Sequence, residues 1–487
     1  MKAAGFCAIA LACILPTGIA AKTVKVLQNS VLGPDPHTVN RLNGESFQMD
    51  ALVTFQGFQY AAYYDASTST NASNRFVSVA RRTLSGSKTK SSTWERLTLT
   101  DYVETEDDGH DVISLGISHS DGTIHLGFNQ HDNPLNYRVS KPGVATNPTG
   151  IKWTSDLFGP VLDHLPGLEA LDKSIFFVNV TYPRFLSVPS SSSSSKSKSD
   201  LIFEIRVGRS GLGDDWLYNY VPGTGKWTLL GRYLEGVNNN AYINGMDFDP
   251  RGNLHVTWTY RDFINDTGQN VAVQAGPNGP ENNHDLNYAF SADLGKTWQN
   301  NWGQAISNVP LQQPIVPASA GIVMFGIPKF GGILNQEGQT VDDAGRVHVL
   351  NRENTTGIEQ WYHYWRDTNI NWTRTPFPLN ISSINNITNT PTVIGKRGKL
   401  VAFRSNLLAI LPSNAPNATG LSILASTAKG KFADWTVVWE ASSGCSTEPL
   451  FDRYRLNTNA GGDGVLSLFY VNGTNVQVSD VDLSGLN

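Results

Sequence analysis

Cysteine is nearly absent: the 487 residues include three. Two of them, Cys7 and Cys13, fall in an N-terminal apolar run, so the rest of the chain keeps only Cys445. A single thiol forms no internal disulfide and no cysteine-based zinc cluster, so stability has to come from a large buried core. Charge is sparse too. Asp, Glu, Lys and Arg make up 16% of the chain, the net charge is −5, and no basic stripe is visible, so nucleic acid is not an expected partner. Long apolar runs are the third lack. The run Ala3–Leu15 is too short to span a bilayer and no other follows it, so no membrane partner is expected.

That run has a different meaning. Lys2 precedes it, Pro16 ends it, and Gly18-Ile19-Ala20 offers a small-x-small cleavage pattern, so residues 1–20 read as a secretory signal peptide. Sequons at Asn71, Asn179, Asn265, Asn354, Asn371, Asn380, Asn386, Asn417 and Asn472 agree with a secreted, extracellular glycoprotein.

What the chain has is glycine (45 residues) and aromatics (10%), the profile of a sheet- and turn-rich protein. Short β-like runs recur with a tryptophan, at Trp94, Trp153, Trp227, Trp298, Trp372 and Trp435. Their spacing of about 60–75 residues suits sheet repeats with inserted loops. Within the units a turn, a histidine and an apolar strand recur: Asp121-Gly122-Thr-Ile-His125, Asp249-Pro-Arg-Gly252-Asn-Leu-His255 and Asp343-Ala-Gly345-Arg-Val-His348. Leu135-Asn-Tyr137 is echoed by Leu286-Asn-Tyr288. Four-stranded meanders repeated radially make an all-β propeller. Seven blades are expected, the last closed by the N-terminal strand Lys22–Leu27, in one domain over residues 21–487. Ser291-Ala-Asp293-Leu-Gly295-Lys-Thr297-Trp298 is an Asp-box, a turn device with a structural role. Ser190–Ser195 is a low-complexity hairpin tip.

Candidate chemistry concentrates in Asp107–Tyr137, which holds four of the ten histidines. His125 recurs at equivalent positions as His255 and His348, which argues for blade structure, and His119 reads as a surface residue. His110 and His131 have no counterparts in other units and are the candidates for proton transfer. Two other segments break the repeat. Thr181-Tyr182-Pro183-Arg184-Phe185 ends an apolar strand where Pro183 stops pairing. In Phe203-Glu-Ile-Arg206-Val-Gly-Arg209, Arg206 faces away from its apolar neighbours and needs an anionic partner, which a ligand carboxylate can be. Tyr242 and Asn244 follow in an amide-rich stretch suited to sugar hydroxyls.

Imidazole, phenol and guanidinium, without an obvious catalytic carboxylate pair, fit elimination from a uronic acid better than hydrolysis. At these residues the chain resembles the BNR-repeat polysaccharide lyases, the seven-bladed group that includes ulvan lyases and rhamnose–glucuronate lyases. The resemblance rests on Gly109-His110-Asp111, His131-Asp-Asn-Pro-Leu-Asn-Tyr137, Thr181–Phe185 and Arg206–Trp216. It implies that Arg206 neutralises a uronate carboxylate, with Arg209 the substitute if the Ser-rich insertion shifts the register. It further implies that His131 and Tyr182, with His110 close behind, act as acid and base, while the second histidine and Tyr242 position the sugar; Asn244 and Arg209 are further candidates for binding it. The expected activity is cleavage of a rhamnose–glucuronate linkage by β-elimination, on an acidic polysaccharide or glycan side chain, by a monomer. No cofactor is expected, a structural calcium ion aside. The competing readings are a sialidase-like hydrolase drawing on arginines at 184, 206, 261, 352 and 453, and a non-catalytic glycan-binding propeller.

Overall fold

The computed structural model describes residues 23–36, 38–66, 74–84, 93–189, 199–209, 213–236, 240–261, 282–379, 396–413, 415, 417–456 and 462–486. Residues 1–20, the expected signal peptide, the Ser190–Ser195 run and the sequons at Asn71, Asn265, Asn380 and Asn386 lie outside them.

Seven antiparallel sheets form a ring, a seven-bladed β-propeller. The innermost strands, one per blade, are Leu52–Phe55, Ser114–Ile117, Val180–Ser187, Ala241–Phe248, Gly338–Val341, Lys399–Phe403 and Leu450–Phe451. The seventh blade is completed by the N-terminal strand, as expected from the sequence. It spans Lys25–Pro34 and pairs from Lys25↔Asp482 to Pro34↔Asn475, with register shifts between Val26 and Gln28 and between Val31 and Gly33. Side chains alternate between the two faces of each strand, so apolar sets such as Leu254, Val256, Trp258 and Tyr260 are buried between neighbouring blades.

The tryptophan repeat marks the outer strands. Trp227, Trp298 and Trp372 lie on them, and Trp94 and Trp435 immediately precede them. Trp153 differs: blade 2 has three strands, and this indole packs instead beneath the Arg81 guanidinium, 4.8 Å from its centroid. The recurrent histidines are core residues. His125 bonds Tyr137 Oη at 2.6 Å, His255 bonds Tyr288 Oη at 2.8 Å, and His348 meets His363 at 3.0 Å. His119 is not the surface residue expected, because its ring stacks on Phe55 at 4.6 Å and meets Tyr454 edge-on. The Asp-box closes as read: Asp293 accepts from Thr297 N and Oγ1, and Ser291 Oγ accepts from Gly295 N.

Two features position the site. First, blades 2 and 3 approach closely through glycine. A Cβ on Gly116 would lie 2.4 Å from Phe185 Cβ, and one on Gly127 would lie 2.8 Å from Pro183 Cβ. Second, residues 44–50 thread the centre of the ring. Gly44 O accepts from Glu448 N, Ser46 Oγ donates to Gln336 O and Glu337 O, Met49 O accepts from Phe185 N, and Asp50 O accepts from Leu115 N. At the far end Asp50 meets Arg453, which also pairs with Asp247. Asp247 and Arg453 line a smaller cavity with Phe248, Phe403 and Tyr454.

Candidate active site

A cleft of about 670 Å³ opens where the inner strands of blades 3 and 4 begin. Its walls carry Tyr182, Tyr242, His110, His131, Asp108, Phe47 and three arginines, Arg41, Arg261 and Arg397.

Tyr182 owes its position to an interrupted strand. Pairing with blade 3's second strand runs Val180↔Val207 and Thr181↔Arg206, then skips to Arg184↔Glu204, leaving Tyr182 and Pro183 in a bulge. Tyr182 takes φ +61°, a left-handed conformation unusual for a bulky residue, and the neighbouring Asp132 takes φ +59°. Such strain costs on the order of 1–3 kcal/mol per residue and gathers at functional sites. The short strand His131–Asn133 adds to the inner edge of blade 3, opposite Thr181, and so brings His131 beside the bulge.

One carboxylate orients both imidazoles. Asp108 Oδ1 lies 2.6 Å from His110 Nδ1 and Oδ2 lies 2.6 Å from His131 Nδ1. The rings stack at 3.8 Å. Burial would raise the Asp108 carboxyl, but the bonds from His110 and His131 hold it well below the ordinary range. An ionised carboxylate only accepts, so both Nδ1 atoms carry hydrogen and Nε2 is the atom left to face a ligand. Burial pulls the His110 pKa down against the opposing pull of Asp108. Burial pushes the Tyr182 phenol up, and Tyr242 adds to this, in spite of the nearby Arg206, Arg261 and Arg397. Phe47 packs against both His110, at 5.6 Å, and Tyr182, at 5.0 Å.

Asn335 ties two of the arginines together. Its side-chain oxygen accepts from Arg261 Nη2 at 2.5 Å and its main-chain oxygen accepts from Arg397 Nε at 2.8 Å. Arg261 also lies over the Tyr242 ring at 4.6 Å, and Arg397 pairs with the buried Glu448. Burial and the Glu448 charge push the neighbouring Glu45 carboxyl well above its ordinary value, so Glu45 holds the proton of that pair. Three of the four acids on the cleft wall are held by donors: Asp107 accepts from Val39 N and Asn40 N, Asp108 from the histidines, and Asp132 from Arg206 and Thr181. The fourth is the protonated Glu45, 3.4 Å from Arg41 Nε.

Of the residues singled out from sequence, His110, His131, Tyr182 and Tyr242 meet in this cleft, together with Arg261 from the hydrolase alternative. Arg206 lies behind Tyr182, its Cζ 5.0 Å from the ring centroid, and is 1% exposed. Its Nη2 donates to Thr181 at 3.2 Å, while Nε and Nη1 have no partner among the described residues. Arg209 is exposed and Asn244 is buried beside Thr257 and Asn351; neither lines the cleft. Asp108, Phe47, Arg41, Glu45, Asn335 and Arg397 escaped sequence reasoning. Arg261 had a legible signal, as the charged end of a strand that otherwise alternates cleanly. Arginines 184, 352 and 453 are spent elsewhere, paired with Glu204, Glu337 and Asp50.

The family described as "BNR repeat-containing family member" matches residues 58–378. No curated protein matches the chain in sequence. Among solved structures, polysaccharide lyase Uly1 is similar at 16% identity, over 95% of this chain and 99% of that one, with a TM-score of 0.63. A PL25 ulvan lyase is similar at 13% identity, over 93% and 95% of the two chains, with a TM-score of 0.61. The same kind of enzyme bound to -[GlcA(1-4)Rha3S]- is similar at 12% identity, over the same shares, at 0.61. At these identities the likeness is one of fold.

Proposed function

Since the chain belongs to the BNR repeat-containing family, we propose that it is a secreted polysaccharide lyase that breaks a rhamnose–glucuronate linkage by β-elimination. The observation that carries this reading is the cleft's assortment of groups: two imidazoles oriented by one carboxylate, a phenol, and arginines tied through Asn335. Hydrolysis of a glycoside ordinarily needs a pair of carboxyl groups, one acid and one base or nucleophile; on this wall Glu45 is the protonated one, and Asp107, Asp108 and Asp132 are each held by donors, which leaves Glu45 without a free partner. The binding of a glucuronate–rhamnose unit by a protein of the same fold supports the choice of linkage.

In this reading Arg261 and Arg397 meet the uronate carboxylate and lower the cost of charge developing at C5. An Nε2 of the stacked histidines takes the C5 proton, the C4=C5 double bond forms, and the C4–O4 bond breaks. The Tyr182 phenol, kept protonated by burial, gives its proton to the departing O4. Arg206, set against the back of the ring, steadies the phenolate that remains.

Gum arabic, arabinogalactan glycan and ulvan are the substrates to try, following the ultraviolet absorbance of the conjugated unsaturated uronate. The reading expects that absorbance to grow and to vanish in Tyr182→Phe. Release of sugar without absorbance would replace it with a hydrolase. Glycan binding without any product would leave a lectin-like propeller.

A further inference from the structure

The residues that orient one another around Asp108 also form a ligand set of a different kind. One ligand atom from each of His110, His131 and Asp108 lies within 4.8 Å of the other two, on the wall of the cleft, and Asp108 touches both Nδ1 atoms. We propose that this cluster binds a borderline transition cation, Zn²⁺ being the representative, and that the bound cation shuts the site.

Two imidazoles and a carboxylate leave one position of a tetrahedron to water, the ligand count of open zinc sites. Ligands about 2.0–2.1 Å from a zinc ion are about 3.4 Å apart, so each 2.6 Å contact between an imidazole Nδ1 and Asp108 has to open by less than an ångström to admit the ion. The three groups are free to move apart, because their side chains are 40%, 24% and 37% exposed for His110, His131 and Asp108. Glu106 and Asp107 stand beside the cluster in the chain, and their negative charge draws cations to it. The nitrogen donors select zinc or copper over calcium and magnesium, which prefer all-oxygen sites.

Binding has a definite effect on the imidazoles. Each Nδ1 now carries hydrogen toward Asp108. To ligate through Nδ1, each ring must move that hydrogen to Nε2, with no net proton released. The lone pairs that face the cleft are thereby lost, and a cation in this place competes with any mechanism that uses Nε2 as a base. The binding claim does not depend on the lyase reading; the inhibition claim rests on it.

The test is calorimetric titration of the chelator-treated full-length protein with Zn²⁺ and, separately, Ca²⁺, with Co²⁺ absorption as a second reading of coordination. One Zn²⁺ per chain is expected, with no Ca²⁺ heat and a Co²⁺ spectrum of low-coordinate form. His131→Gln should weaken Zn²⁺ binding by at least about 100-fold, more than the 10–100-fold cost of losing an outer partner. Asp108→Asn should weaken it as well, whereas His164→Gln, at a separate histidine beside Asp163, should not. Binding that survives both His131→Gln and Asp108→Asn, or no Zn²⁺ heat at all, overturns the proposal. Zn²⁺ binding without loss of the elimination product refutes inhibition alone. Absence of product without zinc refutes the lyase reading and leaves the binding result standing.

Discussion

Replacing Asp111 by asparagine should flatten the pH dependence of stability. Asp111 is wholly inaccessible, and neither carboxyl oxygen has a hydrogen-bond partner among the described residues. Burial first, then the charges of Glu104, Asp108 and Glu106, raise its pKa from 3.8 to about 8. The folded chain therefore binds a proton that the unfolded chain has lost. For an acid raised in this way the stabilising contribution is complete below 3.8 and disappears as the pH climbs through 8. At 1.36 kcal/mol per pH unit, the wild type should lose on the order of 3–4 kcal/mol relative to the variant between about pH 5 and pH 8. Unfolding entropy of about 2.1 cal/mol/K per residue makes that roughly 3–4 °C in Tm for a chain of this length. Asparagine is close in shape to the protonated acid, so the variant should fold. Glu104, itself raised to about 7, relaxes along with it, and the difference between the two melting curves reports the pair. Scanning calorimetry of both proteins across that range is the assay. A constant difference between the two curves would refute the argument, since it would mean that Asp111 is ionised and compensated in the folded state.

Tyr182→Phe removes only a hydroxyl and should lower kcat by about 10²–10⁴-fold with little change in Tm, read by the absorbance assay alongside melting. Arg397→Ala strands the buried Glu448 and should cost about 3–5 kcal/mol, so loss of activity there has to be read with a denaturant titration. Arg261→Gln keeps a polar group beside Asn335 and should raise KM for a uronate glycan while leaving the fold intact, as checked by steady-state kinetics. Gly116→Ala forces a methyl into Phe185 and should cost about 1–3 kcal/mol by overpacking, while moving the Tyr182 bulge enough to depress kcat.

The ring was legible because its signals are periodic and local. A turn aspartate, a histidine and a tryptophan recur at blade spacing, and each satisfies a nearby partner, as His255 does with Tyr288 and Asp293 with Thr297. The same logic exposed His110, His131 and Tyr182, which depart from the repeat. It gave less on the arginines. Whether a guanidinium reaches a cleft depends on which loops of other blades stand in front of it, and no local pattern carries that. Arg206 alternates as a ligand-facing residue should, yet the bulge before it places Tyr182 in front. Arg397 sits in a Gly-Lys-Arg-Gly stretch with no apparent pattern and enters the cleft because Asn335 and Glu448, some 50–60 residues away on either side, hold it. Trp153 shows the reverse error, a repeat signal without its strand.

The threaded segment and the closing strand together set the order in which this protein can be assembled. Residues 25–34 leave the ribosome long before their partners 475–482. Residues 44–50 pass through a hole whose walls are still to be made. Contacts so far apart in sequence are slow to form, and blades made early present unpaired edges while they wait. The cleft's own floor, Glu45 and Phe47, belongs to that waiting segment, so a chain interrupted before its final strand has the parts of a site and nothing to hold them in place.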